Sequence, residues 1–324
     1  MKAVLCTRFG GPDDLELHDI PDPVPGPEDV VVEIEAAALN FYDTLIIAGR
    51  YQTKPPFPFS PSGEFAGTVS QVGANVGEFT PGDRVAGYIG YGAARERVAA
   101  PASKLVKLPP GLEAERASGI IITYGTTLHA LRDRAKLRPG ETLAVLGASG
   151  GVGLAAVEIG KIMGARVIAC ASSPEKLEFA REHGADATID YSAADLKTAL
   201  REATGGQGPD VIYDPIGGPY TEAALRAIAW HGRFLVVGFA TGEIPKLPLN
   251  LVLLKECDVC GVYFGAWSRQ EPETHRQGMA DLMRWCAEGR LSAHVHARYP
   301  LEQTSAALRA IAERKVMGKV ILQP

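Results

Sequence analysis

The chain reads TLAVLGASGGVG from Thr142 to Gly153, an apolar run that leads directly into closely spaced small residues. Leu143–Leu146 form the unbroken apolar stretch that is typical of a parallel strand buried on both faces. From Leu154 to Met163 the apolar residues change to helical spacing. A glycine-rich turn alone is common in loops, but a strand before it and a helix after it favour a dinucleotide-binding turn.

Three small residues carry this motif, with alanine in the first place. Ala148 permits a tight turn, Gly150 lets the backbone approach a pyrophosphate, and Gly153 allows close contact between helix and strand. The helix that begins here would point free N–H groups and its positive dipole end at the phosphates. The predicted cofactor-binding turn therefore comprises Ala148, Ser149, Gly150, Gly151, Val152 and Gly153.

Five further strand-like segments follow, and helix-like segments separate most of them. The predicted strands are 166–171, 187–189, 210–213, 233–238 and 258–264. The predicted helices are 174–183, 193–204 and 220–230, and helical spacing over 125–137 precedes the first strand. Six strands that alternate with helices predict an α/β fold with a doubly wound parallel sheet.

The chain before this region has a different texture, with short strands broken by proline and glycine. Segments 29–36, 63–73 and 82–87 predict strands, and such pieces assemble naturally into a β-rich, barrel-like domain. The tail carries a helix over 273–288, a strand near Ala297, a helix over 301–314 and a strand over 320–322. We expect it to fold back on the first domain. The predicted domains are 1–123 with 267–324, and 124–266.

Composition narrows the class of protein. The 324 residues carry a formal net charge of −5, without the basic patch that nucleic acid requires and without an apolar run that would span a membrane. The N-terminus reads as a strand rather than a signal peptide, so a cytoplasmic location is expected. Five cysteines suit a reducing compartment, and Cys257 and Cys260 are interpreted as buried structural thiols rather than a redox pair.

In the predicted parallel sheet, the end of the second strand, 166–171, indicates which nucleotide binds. NAD enzymes place an acid there for the ribose 2′-hydroxyl, whereas this chain has Ser172 and Ser173, with Lys176 one helical turn later. Small hydroxyls leave room for a 2′-phosphate, and Lys176 would neutralise it, although a solvated helix residue is the alternative. Glu175 is accounted for by its place in the first helical turn. NADPH is therefore favoured over NADH.

These features together resemble the zinc-free quinone oxidoreductases of the medium-chain dehydrogenase/reductase superfamily, relatives of zeta-crystallin. The resemblance rests on the domain order, the turn 148–153, the stretch 63–87 and the segment Ala38–Asp43, and it runs over essentially the whole chain. It implies a Rossmann domain and a discontinuous GroES-like domain.

Zinc-dependent members of that superfamily place a cysteine three residues before an aspartate and a histidine directly before a glutamate. By resemblance these positions fall on Asn40, before Asp43, and on Gly63, before Glu64. Neither residue offers the thiolate or imidazole that zinc needs. A metal-free enzyme is expected, and without a Lewis acid the loss of an alcohol proton costs about 12 kcal/mol at pH 7. Electron-poor acceptors such as quinones and α,β-unsaturated carbonyls then suit the site better.

The resemblance also implies residue roles. Asn40 and Tyr51 match polar residues of the family's substrate cleft and are candidates for stabilising an enolate-like oxygen. A helix cap for Asn40 and a half-buried aromatic role for Tyr51 are the alternatives. For Asp43 a structural salt bridge or cap is expected. Thr127 matches a threonine that faces the nicotinamide.

The remaining cofactor contacts implied by position are Tyr191, Gly238, Phe239, Ala240, Asn250 and Lys319. For the last two, a turn or surface role is an equal alternative.

The leading functional hypothesis is an NADPH-dependent reductase of a quinone or activated alkene. An enal, enone or enoyl-thioester reductase is the nearest alternative, and a non-catalytic NADPH-binding or sensor protein is a second. The expected partners are a small-molecule substrate and, by family analogy, a second copy in a homodimer that pairs along the strand near Val259.

Overall fold

A computed structural model describes the whole chain, Met1–Pro324, and divides it into two compact units. Unit 1 comprises Met1–Ile122, Glu273–Gly289 and Ala293–Pro324. Unit 2 comprises Thr123–Pro272 and Arg290–Ser292. The fold is mixed α/β, with a parallel sheet in unit 2 and a separate β-rich sheet in unit 1, as the sequence predicts.

Fifteen strands supply the sheets. In chain order they are β1 (Lys2–Cys6), β2 (Leu15–Asp19), β3 (Asp29–Leu39), β4 (Glu64–Val72), β5 (Arg84–Tyr88), β6 (Arg97–Pro101), β7 (Leu105–Lys107), β8 (Thr142–Leu146), β9 (Arg166–Ala171), β10 (Ala187–Asp190), β11 (Val211–Asp214), β12 (Arg233–Val236), β13 (Asp258–Gly261), β14 (Val295–Pro300) and β15 (Lys319–Gln323).

Eleven α-helices connect them. In chain order they are α1 (Phe41–Ile47), α2 (Ala114–Ser118), α3 (Thr123–Leu128), α4 (Gly151–Ile162), α5 (Pro174–Glu182), α6 (Leu196–Ala203), α7 (Pro219–Ala227), α8 (Leu249–Lys255), α9 (Phe264–Gln270), α10 (Pro272–Ala287) and α11 (Thr304–Ala312).

The sheet of unit 2 has six parallel strands in the order β10-β9-β8-β11-β12-β13. From β8 the chain adds β9 and β10 on one side of that strand, and it then returns to add β11, β12 and β13 on the other side of β8. Ligands of such open sheets bind at the carboxyl ends of the strands, at the point where the winding direction changes. In this sheet that point lies at the end of β8, where the small-residue turn begins.

The central strand β8 is apolar because it is buried on both faces. Leu143, Ala144, Val145 and Leu146 are each 0% exposed. A core that includes Ile168, Ile212 and Phe234 lies on one side of the sheet. Burial of an aliphatic side chain contributes about 1.5–3 kcal/mol, so this run stabilises the position of the turn that follows it.

Unit 1 is built around one seven-stranded sheet. Its main path is β14-β15-β3-β4-β5-β7, and β6 pairs with β3. The long strand β3 is central, since it pairs antiparallel with β4, β6 and β15. Pairing of Val320 with Leu39 brings the C-terminal strand against the end of β3, directly before α1. The sheet therefore places segments from both ends of the chain side by side.

Two expectations for unit 2 are wrong in detail, and one helix was not predicted. The strand near Val259 ends at Gly261 rather than at Phe264, because α9 begins there. The predicted helix over 125–137 is α3 followed by a π-helical segment, His129–Arg134. The short helix α8 is an element that periodicity did not reveal, since five of its seven residues are leucine or valine without an alternating polar face.

Cysteine placement follows the expectation only in part. All five cysteines are free thiols. Cys257 is buried at 6% exposure, whereas Cys260 is only partly buried on β13. None of the helices has the length and apolar character that a membrane crossing would need.

Candidate active site

The turn after β8 has the sterics that the sequence predicts. A Cβ at Gly153 would collide with the backbone carbonyl of Gly147, so only glycine lets α4 pack this closely. A Cβ at Gly150 would meet only the Gly147 oxygen, at 3.5 Å. Gly147 itself has φ +62°, a conformation that favours glycine. Ala148 is fully buried, and its N–H donates to the Cys170 carbonyl oxygen at 3.1 Å.

The residues expected at the carboxyl edge of the sheet lie there. Gly238, Phe239 and Ala240 come shortly after β12, which ends at Val236. Ala240 N–H donates to the Pro215 carbonyl oxygen at 3.1 Å, which brings this segment to the end of β11. Glycines come after β8, β11 and β12 at this edge, at Gly147, Gly217 and Gly238, and close approach of the backbone to an extended nucleotide requires such small residues.

The ends of β9 and β10 lie side by side. Tyr191 N–H donates to the Ala171 carbonyl oxygen at 3.1 Å, and its ring lies 4.4 Å from that of Tyr220. Ser172 is exposed, and Ser173 is the N-cap of α5, where its hydroxyl accepts from Lys176 N–H at 3.4 Å. The structure thus brings Ser172, Ser173, Lys176 and Tyr191 together at one edge.

Thr127 lies inside unit 2. Its side chain is 0% exposed, and its hydroxyl contacts the Val152 carbonyl oxygen at 3.3 Å and the Tyr213 hydroxyl at 2.8 Å. Burial raises the pKa of Tyr213, so that phenol stays protonated. Thr127 therefore joins α3 to the small-residue turn and to β11. Its expected role toward the nicotinamide stays a prediction.

Unit 1 contains a buried polar cluster at the end of β3. The Lys319 ammonium donates to Asn40 Oδ1 at 2.5 Å, Glu64 Oε1 at 2.8 Å and the Leu39 carbonyl oxygen at 3.2 Å. Glu64 is 0% exposed and Lys319 3% exposed. A buried pair of opposite charges is retained only when hydrogen bonds satisfy the remaining polar atoms, and here they do.

Glu64 uses both carboxylate oxygens. Oε1 accepts from Asn40 Nδ2 at 2.8 Å as well as from Lys319, and Oε2 accepts from Ile122 N–H at 2.8 Å. The side chain thus joins β4 to the segment that follows α2. Asn40 is 8% exposed, and its amide is held at both ends.

Asp43 has the cap role expected for it. Its carboxylate accepts from Asn40 N–H at 2.7 Å and from Ser62 N–H at 2.9 Å. Burial raises the pKa of this carboxyl to about 7, while the two N–H donors and the Lys319 charge act to lower it. Ser62 has φ +63°, and its bonds to Asp43 and to the Ala38 carbonyl oxygen hold it in this conformation.

Gly63, which matches a metal-ligand position, has no room for a side chain. A Cβ there would collide with the Tyr42 hydroxyl and the Gly90 carbonyl oxygen. Tyr42 donates to that carbonyl oxygen at 3.2 Å, and its ring lies 5.5 Å from that of Tyr51. Burial, followed by the charge of Asp43, raises the pKa of Tyr42. Tyr51 thus lies beside Tyr42 on α1.

The cofactor roles expected for Asn250 and Lys319 stay predictions. Asn250 is exposed on α8. Lys319 belongs to the buried cluster of unit 1, where all three of its donors are used. A buried partner for Lys319 was missed because sequence spacing gives no sign of a contact across 255 residues. Tyr42 was missed too, although its place two residues after Asn40 could have suggested it.

No group of three or more His, Cys, Asp and Glu side chains is arranged to hold a metal ion. At the two positions that match metal ligands, the Asn40 side chain is hydrogen-bonded to Lys319 and Glu64. The space beside Gly63 is filled by the Tyr42 side chain.

Comparison with protein families assigns both parts of the chain. Residues 26–110 match the alcohol dehydrogenase GroES-like domain, and residues 151–284 match the zinc-binding dehydrogenase family. Together with the parallel sheet and the β-rich sheet, these matches define the class of medium-chain dehydrogenases/reductases.

Similarity to individual proteins places the chain within one family of this class. A quinone oxidoreductase of Pseudomonas aeruginosa is 36% identical over 100% of this chain and 99% of its own length. The quinone oxidoreductase-like protein 2 of Rattus norvegicus is 35% identical over 99% of this chain and 91% of its own. The structure of Escherichia coli quinone oxidoreductase complexed with NADPH is 27% identical, with a TM-score of 0.92 and 100% coverage of both chains.

The chain belongs to the quinone oxidoreductase family of this superfamily. It is accordingly an oxidoreductase that uses a nicotinamide cofactor of the NAD(P) type and acts on a small molecule.

Proposed function

We propose that the protein is an NADPH-dependent reductase that transfers hydride to a quinone or another electron-poor α,β-unsaturated carbonyl without a metal ion. The observation that carries this proposal is the cluster of Asn40, Glu64 and Lys319. It contains a buried ammonium and an oriented amide at a position that matches metal ligands in zinc-dependent relatives. These groups donate hydrogen bonds but cannot act as a strong Lewis acid.

The sheet edge of unit 2 fits the cofactor. Gly150 leaves the backbone open for a pyrophosphate, and the N-terminus of the twelve-residue helix α4 supplies free N–H groups. When bound, the reduced nicotinamide supplies the hydride. Ser172, Ser173 and Lys176 would hold the 2′-phosphate, which supports NADPH over NADH because no carboxylate follows β9 directly.

The acceptor chemistry follows from the donors present. Hydride addition to a quinone or an enone places negative charge on a delocalised enolate-like oxygen, which needs only hydrogen-bond stabilisation. Asn40 has an amide N–H for this purpose, and Tyr51 is the second candidate donor. Solvent would then deliver the proton.

Purified enzyme with NADPH and a panel of quinones, enones, enals and enoyl thioesters tests the proposal. We expect turnover with quinones or enones, a preference for NADPH over NADH, and equal rates before and after treatment with a chelator. Turnover confined to enoyl thioesters would select the alternative reductase. Nucleotide binding without turnover of any acceptor would refute the enzyme assignment and favour a sensor.

The supporting argument for a homodimer is the outer strand of unit 2. β13 lies at the edge of the sheet, and Val259 on it is 40% exposed. On the neighbouring α8, Leu249, Leu253 and Leu254 are 78%, 76% and 62% exposed. An unpaired edge beside apolar residues favours pairing with a second copy. Sedimentation of the wild type and of Val259→Lys tests this, with a dimer expected for the first and a monomer for the second.

A further inference from the structure

The Lys319 side chain is fully used within unit 1. An ammonium has three N–H donors, and Nζ has three acceptors: Asn40 Oδ1, Glu64 Oε1 and the Leu39 carbonyl oxygen. Its methylene groups pack on Gly119, where an added Cβ would lie 3.1 Å from Lys319 Cγ. No N–H remains for a phosphate. The effect of this charge must therefore pass through the groups that it touches.

The most important of these groups is the Asn40 amide. Because an ammonium only donates and a carboxylate only accepts, Lys319 must face Oδ1 and Glu64 must face Nδ2. The opposite orientation would place the amide oxygen against the Glu64 carboxylate. The pair of charges therefore selects one orientation. One N–H of Nδ2 is used by Glu64 at 2.8 Å, and the other has no acceptor within the chain.

We infer that Lys319 and Glu64 are positioning residues that lock and polarise the Asn40 amide, so that its second N–H becomes the donor for the acceptor's developing oxyanion. This inference rests on the proposed function. It names the substrate-facing group as an amide N–H and assigns to Lys319 a role in unit 1 rather than in cofactor binding.

The electrostatics give this arrangement its effect. The positive charge of Lys319, hydrogen-bonded to Oδ1, draws electron density from the Asn40 amide. This makes the N–H of Nδ2 a stronger donor, because hydrogen bonds in a chain polarise one another. The low polarity around a site that is 0–8% exposed reduces screening of that charge. Lys319 thus supplies a fixed cation that acts on the reacting oxygen through the Asn40 amide, by two hydrogen bonds in series, and its effect is weaker than that of a metal ion bound directly to that oxygen.

Glu64 is required because it pairs with the buried charge of Lys319. A lone ammonium at 3% exposure would be strongly destabilising, and Glu64 neutralises it. The third contact of the carboxylate, from Ile122 N–H at 2.8 Å, fixes its own orientation. The Asn40 amide is therefore held by groups that cannot rotate independently.

The test compares kcat and KM in four variants. Lys319→Met/Glu64→Gln removes both charges together, so no unpaired charge stays buried. Asn40→Ala removes the donor, and the triple variant combines them. Lys2→Met is the matched control, because it breaks an exposed ion pair of unit 1, Lys2–Glu302 at 3.1 Å.

We expect the double variant to lower kcat roughly 10- to 100-fold, the range typical of groups that orient a ligand, with KM for NADPH changed by less than about 2-fold. In the Asn40→Ala background, removal of the two charges should lower kcat no further, since the donor is already absent. Lys2→Met should leave kcat and KM unchanged.

Two outcomes would overturn the inference: an unchanged kcat in the double variant, or a decrease that is fully additive with that of Asn40→Ala. If wild-type enzyme reduces no acceptor, the proposed function fails, and the positioning role is then tested by the Asn40 side-chain amide signals in ¹⁵N spectra, assigned from their loss in Asn40→Ala. Slow hydrogen exchange in wild type and fast exchange in the double variant support the role. Equal exchange in both refutes it.

Discussion

The small-residue turn of unit 2 and the polar cluster of unit 1 are built in opposite ways. The turn occupies twelve consecutive residues, 142–153, and depends on what is missing, namely side chains at Gly150 and Gly153. The cluster joins residues that are 24, 255 and 279 positions apart and depends on full charges and an amide. The geometry of the turn is set by backbone sterics, and that of the cluster by electrostatic interactions between buried groups.

This difference predicts different responses to substitution. Steric close packing fails completely when one methyl group is added against a backbone atom, because a backbone carbonyl cannot move aside. A charged cluster responds to pH and to replacement of its partners, because its stability depends on protonation state. Four experiments test this contrast, in order of expected effect.

Gly153→Ala should produce the largest loss. Its Cβ would lie inside the contact distance of the Gly147 carbonyl oxygen, so α4 cannot pack against β8. We expect little folded unit 2 and a loss of nucleotide binding of more than about 100-fold, beyond the 1–3 kcal/mol usual for overpacking. Thermal unfolding and nucleotide titration measure this. Gly77→Ala is the control, since nothing lies within 4 Å of its Cβ position.

Asp43→Asn should remove a pH dependence of stability. The carboxyl has a pKa of about 7 in the folded protein and about 3.9 when unfolded. Between these values the folded state keeps a proton that the unfolded chain has lost, so the free energy of unfolding falls as pH rises from about 4 to about 7. The loss is at most about 4 kcal/mol, and denaturant unfolding across this range measures it.

Asp83→Asn is the control for that experiment. Hydrogen bonds, first from Lys107, lower the pKa of Asp83, so its stabilising effect is present at neutral pH and is lost as pH falls through the acidic range. The two variants should therefore flatten the pH profile in different windows. A wild-type profile that Asp43→Asn leaves unchanged between pH 4 and pH 7 would contradict the burial of an ionisable Asp43.

Gly150→Ala should separate folding from nucleotide binding at the turn. The nearest atom to its Cβ is the Gly147 oxygen, at an ordinary 3.5 Å, and its φ of −76° suits alanine. We expect an almost unchanged melting temperature with roughly 10-fold weaker NADPH binding, because the methyl group would crowd the pyrophosphate. Equal affinity in both proteins would show that the phosphates do not approach this residue.

Lys176→Ala should have the smallest effect. If its ammonium neutralises the 2′-phosphate, the preference for NADPH over NADH should fall by a few-fold, because solvent weakens the interaction of a charge that is only partly buried. Comparison of kcat/KM for the two cofactors measures this. Lys197→Ala, on the neighbouring α6, is the control. An unchanged preference would remove Lys176 from the cofactor site.

Much of unit 2 was predictable because its signals are local. Apolar runs marked β8, β9 and β12, and helix periods marked α5 and α10 within a few residues. The prediction was weaker for α8 and for the strand near Val259, where exposed apolar residues imitate a buried strand. Periodicity reports which residues are apolar, but not which of them the fold buries.

The sequence by itself determined the α/β class, the small-residue turn and the absence of thiolate and imidazole at Asn40 and Gly63, because each depends on residue type at adjacent positions. Only the tertiary structure decided that Lys319 joins Asn40 and Glu64, and that Tyr42 fills the space beside Gly63. These contacts form when β15 pairs with β3, and hydrogen-bond partners so distant along the chain leave no local pattern.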